Sequence, residues 1–191
     1  SIAHPKIDVS DMDIDFMAFS GHKMYGPTGI GVMYGKFSLL QEMVPRNYGG
    51  DMNAIFNRDG YMELKDLPSR LEAGTPNIEG VLGLSACIDY INNISIDKIS
   101  EYEHNLRDYL VSRLRELDFI TIYNENNYST TVAFNIKGVF SQDTAIYLDK
   151  YNICVRAGNH CAKILKNTLN ISNTCRISLS FYNTKEEVDL L

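Results

Sequence analysis

Apolar positions recur along this chain with two periods, and the order in which the periods alternate predicts a mixed α/β fold. Two short apolar runs, residues 16–19 and 30–34, read as buried strands on either side of a glycine-rich stretch, and residues 37–43 as a brief helix. Residues 45–68 keep neither period and contain Gly49-Gly50, so an irregular segment is expected. Val81, Leu82, Leu84, Ile88 and Ile91 then recur at three-to-four spacing, which predicts a helix to about residue 91 with Thr75 or Asn77 as its N-cap. Ile99, Tyr102, Leu106, Tyr109, Leu110, Leu114 and Leu117 predict a second helix of about five turns, opened by Ser95. Both stripes are packing faces and carry no other role.

Beyond residue 118 the elements shorten. Strands are expected at 120–123 and 131–136, the second with Val132, Phe134 and Ile136 on one face. A helix at 141–151, a strand at 153–155, a helix at 162–169 and a strand at 176–180 follow. Thr184 with Glu187 three residues on forms a capping box, so a last helix starts there. The polar pair Asn92-Asn93 separates the two long helices, and the expected domains are residues 1–92 and 93–191. No internal repeat is present.

Composition narrows the function classes. The 191 residues are 45% hydrophobic, enough to fill a core. A net charge of −6 provides no basic field for nucleic acid. No run approaches the roughly 20 apolar residues that span a bilayer, so neither nucleic acid nor membrane is an expected partner. Cysteines at 87, 154, 161 and 175 show no CxxC spacing, which suits a reducing compartment and gives no metal site. The chain opens on Ser1 without a signal-like run and stops soon after Thr184, so it is expected to be a fragment.

The candidate chemistry sits at two places. The string Asp15-Phe16-Met17-Ala18-Phe19-Ser20-Gly21-His22-Lys23, followed by glycines 26, 29 and 31, ends a strand in small donors, an imidazole and one lysine. That is the sheet edge where α/β proteins put cofactors. Lysine reacts with a carbonyl only as the neutral amine, which requires desolvation or a nearby cation. Ser20 and His22 can donate to a phosphate, and Gly21 allows close backbone approach. The second place is Cys161, beside His160 in a turn with Gly158 and just before a short predicted helix. A thiol near cations and a helix start is held more as thiolate, the nucleophilic form. Cys87 and Cys154 are expected to be small buried hydrophobes, Cys175 a packing residue, Glu72 a structural carboxylate, and His4 and His104 surface groups.

Asp15 to Gly31 resembles the pyridoxal-phosphate attachment site of the class V aminotransferase family, in which the motif lysine carries the cofactor. Arg156-Ala157-Gly158-Asn159-His160-Cys161-Ala162 resembles the cysteine loop of the group II, SufS-type cysteine desulfurases within that family. Arg70-Leu71-Glu72-Ala73-Gly74-Thr75-Pro76-Asn77 and Cys175-Arg176-Ile177-Ser178-Leu179 extend the likeness in the family's order. The resemblance implies the end of a fold type I large domain followed by a small α/β C-terminal domain carrying the cysteine loop.

By the same resemblance Lys23 and Cys161 are catalytic, and Ser20, His22, Lys23 and Thr75 bind pyridoxal 5'-phosphate, with Thr75 reaching across a homodimer. Arg176 anchors the substrate carboxylate, Arg156 is a second arginine of the site, and His160 handles a proton. A guanidinium suits that anchor because it grips a carboxylate through two parallel charge-assisted bonds. The implied reaction converts L-cysteine to L-alanine and leaves a persulfide on Cys161. The sulfur passes to a SufE- or SufU-type acceptor for iron–sulfur cluster assembly, in a bacterial cytoplasm or a plastid-type stroma. A selenocysteine lyase or other class V enzyme is the alternative within the family, and a non-catalytic interaction module the alternative outside enzymes. One departure stands in the loop: Asn159 replaces the family's first histidine, and asparagine cannot titrate.

Overall fold

In the computed structural model, which describes residues 6–127 and 129–191, the first two apolar runs pair with each other. Strand β1 (Phe16–Ser20) runs antiparallel to β2 (Gly31–Gly35), in register from Phe16 opposite Gly35 to Ser20 opposite Gly31. Both were expected to be buried, yet Phe16 is 47% and Met33 50% exposed. No third strand pairs with this ribbon among the described residues, and a two-stranded ribbon buries little by itself. Helix α1 (Phe37–Glu42) follows directly.

Residues 45–68 are more ordered than their pattern implies. Strand β3 (Asn53–Phe56) pairs antiparallel with β4 (Met62–Leu64). Asn57 and Gly60 close the turn, with Gly60 at φ 89°. The Asp59-Gly60 dipeptide between apolar pairs is the sequence signal for it. Helix α2 (Ile78–Ile94) is capped by Asn77, whose side-chain oxygen accepts from the Gly80 amide at 2.9 Å. Leu84 and Ile91 are buried, whereas Val81 and Leu82 are 52% and 67% exposed, so only part of the expected stripe is core.

Asn92 and Asn93 lie inside α2; Ser95, at φ 83°, stops that helix with its amide bonded to the Ile91 carbonyl at 2.9 Å. The next helix, α3 (Ile96–Arg115), begins at the following residue. The chain divides into two compact units, Ser1–Ile96 and Asp97–Leu191.

The second unit is built on a four-stranded antiparallel sheet. Its strands are β5 (Ile120–Ile122), β6 (Thr131–Ile136), β7 (Arg156–Gly158) and β8 (Thr174–Ser178), in spatial order β5-β6-β8-β7. The intervening helices are α4 (Ser141–Asp149) and α5 (Lys163–Thr168), and α6 (Lys185–Leu190) ends the unit. Period-two alternation sorts the sheet's faces. Val132, Phe134, Cys175 and Ile177 form one core with Leu106, Leu110 and Leu114 of α3 and Val188 of α6. The capping box at Thr184 forms as expected: the Glu187 amide donates to Thr184 Oγ1 at 3.3 Å, and the Thr184 amide to Glu187 Oε2 at 3.0 Å.

Two strands fall in other places than expected. Asn152, at φ 60°, and the bond from the Ile153 amide back to the Leu148 carbonyl turn the chain, so residues 153–155 remain outside the ladder and β7 starts at Arg156. Pairing with β7 and β6 then draws the start of β8 back to Thr174. This register decides which side chains share the polar face.

Candidate functional site

In the first unit, Ser20 ends β1 and the chain enters a 3-10 turn, Gly21–Lys23. The amides of Met24 and Gly26 both bond the Gly21 carbonyl, at 2.9 and 3.0 Å, which coils the chain tightly after Lys23. Only glycine suits position 21, because a Cβ there would lie 2.9 Å from Ile30 Cγ2. Ser20 makes no side-chain bond to cap the turn, so its half-buried hydroxyl is not spent on the backbone. His22 and Lys23 are exposed on the same turn. Asn77 Nδ2 donates to the Gly29 carbonyl at 3.1 Å, and Cys87 Sγ to the Tyr25 carbonyl at 3.1 Å; both tie the glycine loop to α2. Thr75 is exposed in the bend before α2, after Gly74 at φ 85°.

In the second unit, Arg156 of β7 and Arg176 of β8 are direct partners in the ladder. Like charges placed opposite each other are unfavourable. Neither arginine forms an ion pair with a carboxylate among the described residues, and Arg176 Nε is buried without a partner. Two arginines paired in the ladder, one with an orphaned donor, are suited to an external anion.

The loop that carries the thiol follows β7 directly. Gly158, His160 and Cys161 all have positive φ, at 131°, 51° and 60°. For the two non-glycine residues each such conformation costs about 1–3 kcal/mol and persists only where its surroundings enforce it. Cys161 is exposed on this turn, and α5 starts two positions later. His160 Nε2 lies 3.0 Å from the Thr174 carbonyl and 2.9 Å from Thr174 Oγ1. A carbonyl only accepts, so Nε2 carries the hydrogen and Nδ1 is the bare nitrogen; Nδ1 is buried and has no partner.

Lys166, 5% exposed, donates to the Gly158 carbonyl and to Thr174 Oγ1, both at 2.8 Å. Asn124, Thr131, Asn159, His160, Lys166 and Arg176 line a cavity of about 300 Å³ on this face. Nothing in the residue pattern marks Lys166 or Thr174 as site residues. In α5 the apolar Ile164 and Leu165 are exposed while the lysine points inward, the reverse of the usual pattern.

Burial lowers the pKa of His160 below its ordinary value, and the charges of Lys166, Arg176 and Arg156 push the same way against a raising bond from the Thr174 backbone. Burial likewise lowers that of Lys166. The unfolded chain therefore binds a proton at His160 near pH 6.5, where the folded chain still refuses it. Stability is expected to fall as the pH drops through that value and to level off below the folded one. Urea unfolding measured between about pH 8 and pH 5 checks this, and His160→Gln is expected to flatten the decline. An equal decline in that variant would assign it to other groups.

The remaining expectations resolve as follows. Cys175 is fully buried, with Sγ donating to the Ser141 carbonyl at 3.0 Å, and Cys87 is half-buried. Cys154 is exposed instead of buried, because its segment lies outside the ladder. Glu72 is exposed, and His104 is half-buried with Nδ1 2.6 Å from the Ser100 carbonyl. His4 lies outside the described residues. Among the described residues no helix is long and apolar enough to cross a membrane.

The chain belongs to the Aminotransferase class-V family, whose pattern it matches over residues 1–191. It is 46% identical to a probable cysteine desulfurase of Halalkalibacterium halodurans over 192 aligned residues, covering 100% of this chain and 47% of that protein. It is 44% identical to a cysteine desulfurase of Escherichia coli, again over 100% of this chain and 47% of the relative. Among solved structures, the cysteine desulfurase of Thermococcus onnurineus in its apo form superposes with a TM-score of 0.95 at 39% identity, covering 100% of this chain and 48% of that one. The cysteine desulfurase CsdA of Escherichia coli gives 0.91 at 40% identity, over 98% and 46%. The chain thus spans about half the length of the relatives it matches.

Proposed function

We infer that this chain carries the lysine and the sulfur-accepting thiol of a pyridoxal-phosphate-dependent cysteine desulfurase of the SufS type. The observation that carries the reading is the Cys161 turn: an exposed thiol on a strained loop that follows β7, whose Arg156 pairs with Arg176 in the ladder. The cysteine desulfurases at 44% and 46% identity support it.

The donors present suit the cofactor. Lys23 is the amine that would hold its aldehyde carbon, while the uncommitted Ser20 hydroxyl and the His22 imidazole suit its phosphate. Thr75 would add a phosphate contact across a homodimer. The ring, when bound, supplies an electron sink for charge developing at the substrate's Cα.

The chain's own residues do the rest. Arg176, with Arg156 opposite in the ladder, grips the carboxylate of L-cysteine. Lys23 Nζ takes the Cα proton and later returns one. The Cys161 thiolate attacks the substrate's sulfur; a new S–S bond forms, the C–S bond breaks, and its electron pair leaves with the carbon fragment that becomes L-alanine. His160, next to Cys161 in the loop, would handle a proton. The resulting persulfide would be passed to a SufE- or SufU-type acceptor for iron–sulfur cluster assembly, in a bacterial cytoplasm or plastid-type stroma. The assignment of 1–92 to the cofactor-binding domain and of 93–191 to the small domain belongs to the same proposal.

The protein incubated with pyridoxal phosphate and L-cysteine is expected to gain a visible absorbance band and to release alanine in step with bound sulfur. Lys23→Ala is expected to lose both, and undiminished alanine release in that variant would sink the reading. A strong preference for selenocysteine in paired assays would move it to a selenocysteine lyase. Neither band nor alanine from the unaltered protein would favour an interaction module.

A further inference from the structure

The turn that presents Cys161 holds two non-glycine residues in the left-handed region, so something in the surrounding structure must enforce it. Backbone bonding within the turn contributes one contact, the Ala162 amide to the Asn159 carbonyl at 2.9 Å. Two further restraints run through one buried cation. Lys166 Nζ reaches the carbonyl of Gly158, where the turn begins, and the hydroxyl of Thr174, to which His160 Nε2 is also bonded. An ammonium only donates, so each of these bonds has a fixed sense.

We propose that Lys166 is a positioning residue for the Cys161 loop: its ammonium clamps the Gly158 carbonyl and the Thr174 hydroxyl, and the Thr174 so held fixes His160 with Nδ1 as its unprotonated nitrogen. The role rests on the reading of Cys161 as the sulfur acceptor, for which a correctly aimed thiol and a neutral neighbouring base are useful.

Burying a lysine in this way is otherwise unfavourable. A desolvated ammonium must recover its lost hydration through hydrogen bonds, and an inward Lys166 beside outward Ile164 and Leu165 gives up apolar burial as well. A stabilising residue at this position would be apolar. The charge also acts on His160 directly. The groups that face the imidazole are Lys166 from α5, Arg156 from β7 and Arg176 from β8, with the Tyr123 hydroxyl in the same cavity. All three charges are positive, and no carboxylate lines the cavity among the described residues. An imidazolium is therefore opposed by all three charges, against the one Thr174 backbone bond that favours it.

The test reads the loop and the imidazole, not turnover. Lys166→Met keeps the stem and removes the ammonium. In nitrogen-15 and carbon-13 spectra of labelled protein, the variant is expected to show an upward shift of the His160 titration midpoint. The Cα shifts of residues 160 and 161 should also move away from left-handed values. If Lys166→Met does not fold, Thr174→Val removes the shared hydroxyl while leaving the lysine, and the same Cα shifts are expected to move. Unchanged His160 titration and unchanged Cα shifts in the variant that folds would overturn the proposal. None of these signals needs cofactor or cysteine. Failure of the desulfurase reading would leave them in place, and alanine release alongside unmoved signals would reject the clamp alone.

Discussion

Cys161→Ser is expected to abolish persulfide formation and to lower alanine release from L-cysteine by on the order of 10³-fold or more, while leaving the fold and the cofactor absorbance intact. The size of the loss follows from chemistry: a hydroxyl is not ionised near neutral pH and forms no S–S bond, so the sulfur has no acceptor. The survival of the fold follows from position. Cys161 is exposed on a loop and lies outside the core cluster, so exchanging sulfur for oxygen removes no packing. Cys154 is the internal control. It is also exposed, but it lies ahead of the ladder in a segment without positive φ. Cys154→Ser is expected to leave turnover unchanged. Equal losses in the two variants would mean that exposure, not the strained loop, decides which thiol reacts. Mass spectrometry of the intact protein after one turnover reads the persulfide directly.

What the sequence made legible was local. The lysine turn, the cysteine loop and the Thr184 capping box each lie within a few consecutive residues, and each forms where the residue types place it. The pairing of Arg156 with Arg176 is not local. It depends on the bond from Ile153 back to Leu148, which delays β7 and sets the register. With both strands as first expected, at 153–155 and 176–180, Arg156 lies outside the ladder, and only the family resemblance put the two arginines in one site.

Burial was the less legible property. Val81, Leu82 and Ile88 keep helical spacing yet remain exposed, because spacing marks a face without showing what covers it. Lys166 is the opposite case: a lysine in a polar run is ordinarily solvated, and only the fold turns it inward onto Gly158 and Thr174. The β3–β4 hairpin had a local signal in Asp59-Gly60, outweighed by the irregular residues around it.

Phe134→Ala is expected to destabilise the second unit by about 3–5 kcal/mol. Phe134 is 3% exposed on β6, opposite Ile122 on one side and Cys175 on the other, in the cluster built with Leu106, Leu110 and Leu114. Its ring is enclosed by strand neighbours and helix side chains whose backbones are fixed by the ladder and by α3. The space it leaves can therefore close only in part, which is the condition for the upper end of that range. A domain's whole stability is about 5–15 kcal/mol, so a large share of the molecules would unfold at moderate urea. Phe140, 51% exposed, makes the contrast: Phe140→Ala is expected to change stability by about 0.5 kcal/mol or less. Urea midpoints with unchanged slope measure both, and similar costs for the two would contradict the placement of the core. The loss reaches the site through one residue. Ala133, the neighbour of Phe134 in β6, pairs with Arg176, so the side chains that fill the core also hold β8 where its arginine meets Arg156. A variant kept folded at low temperature is therefore expected to bind the substrate carboxylate more weakly before it unfolds. That weakening would appear as a raised KM at a temperature where circular dichroism still reports native structure.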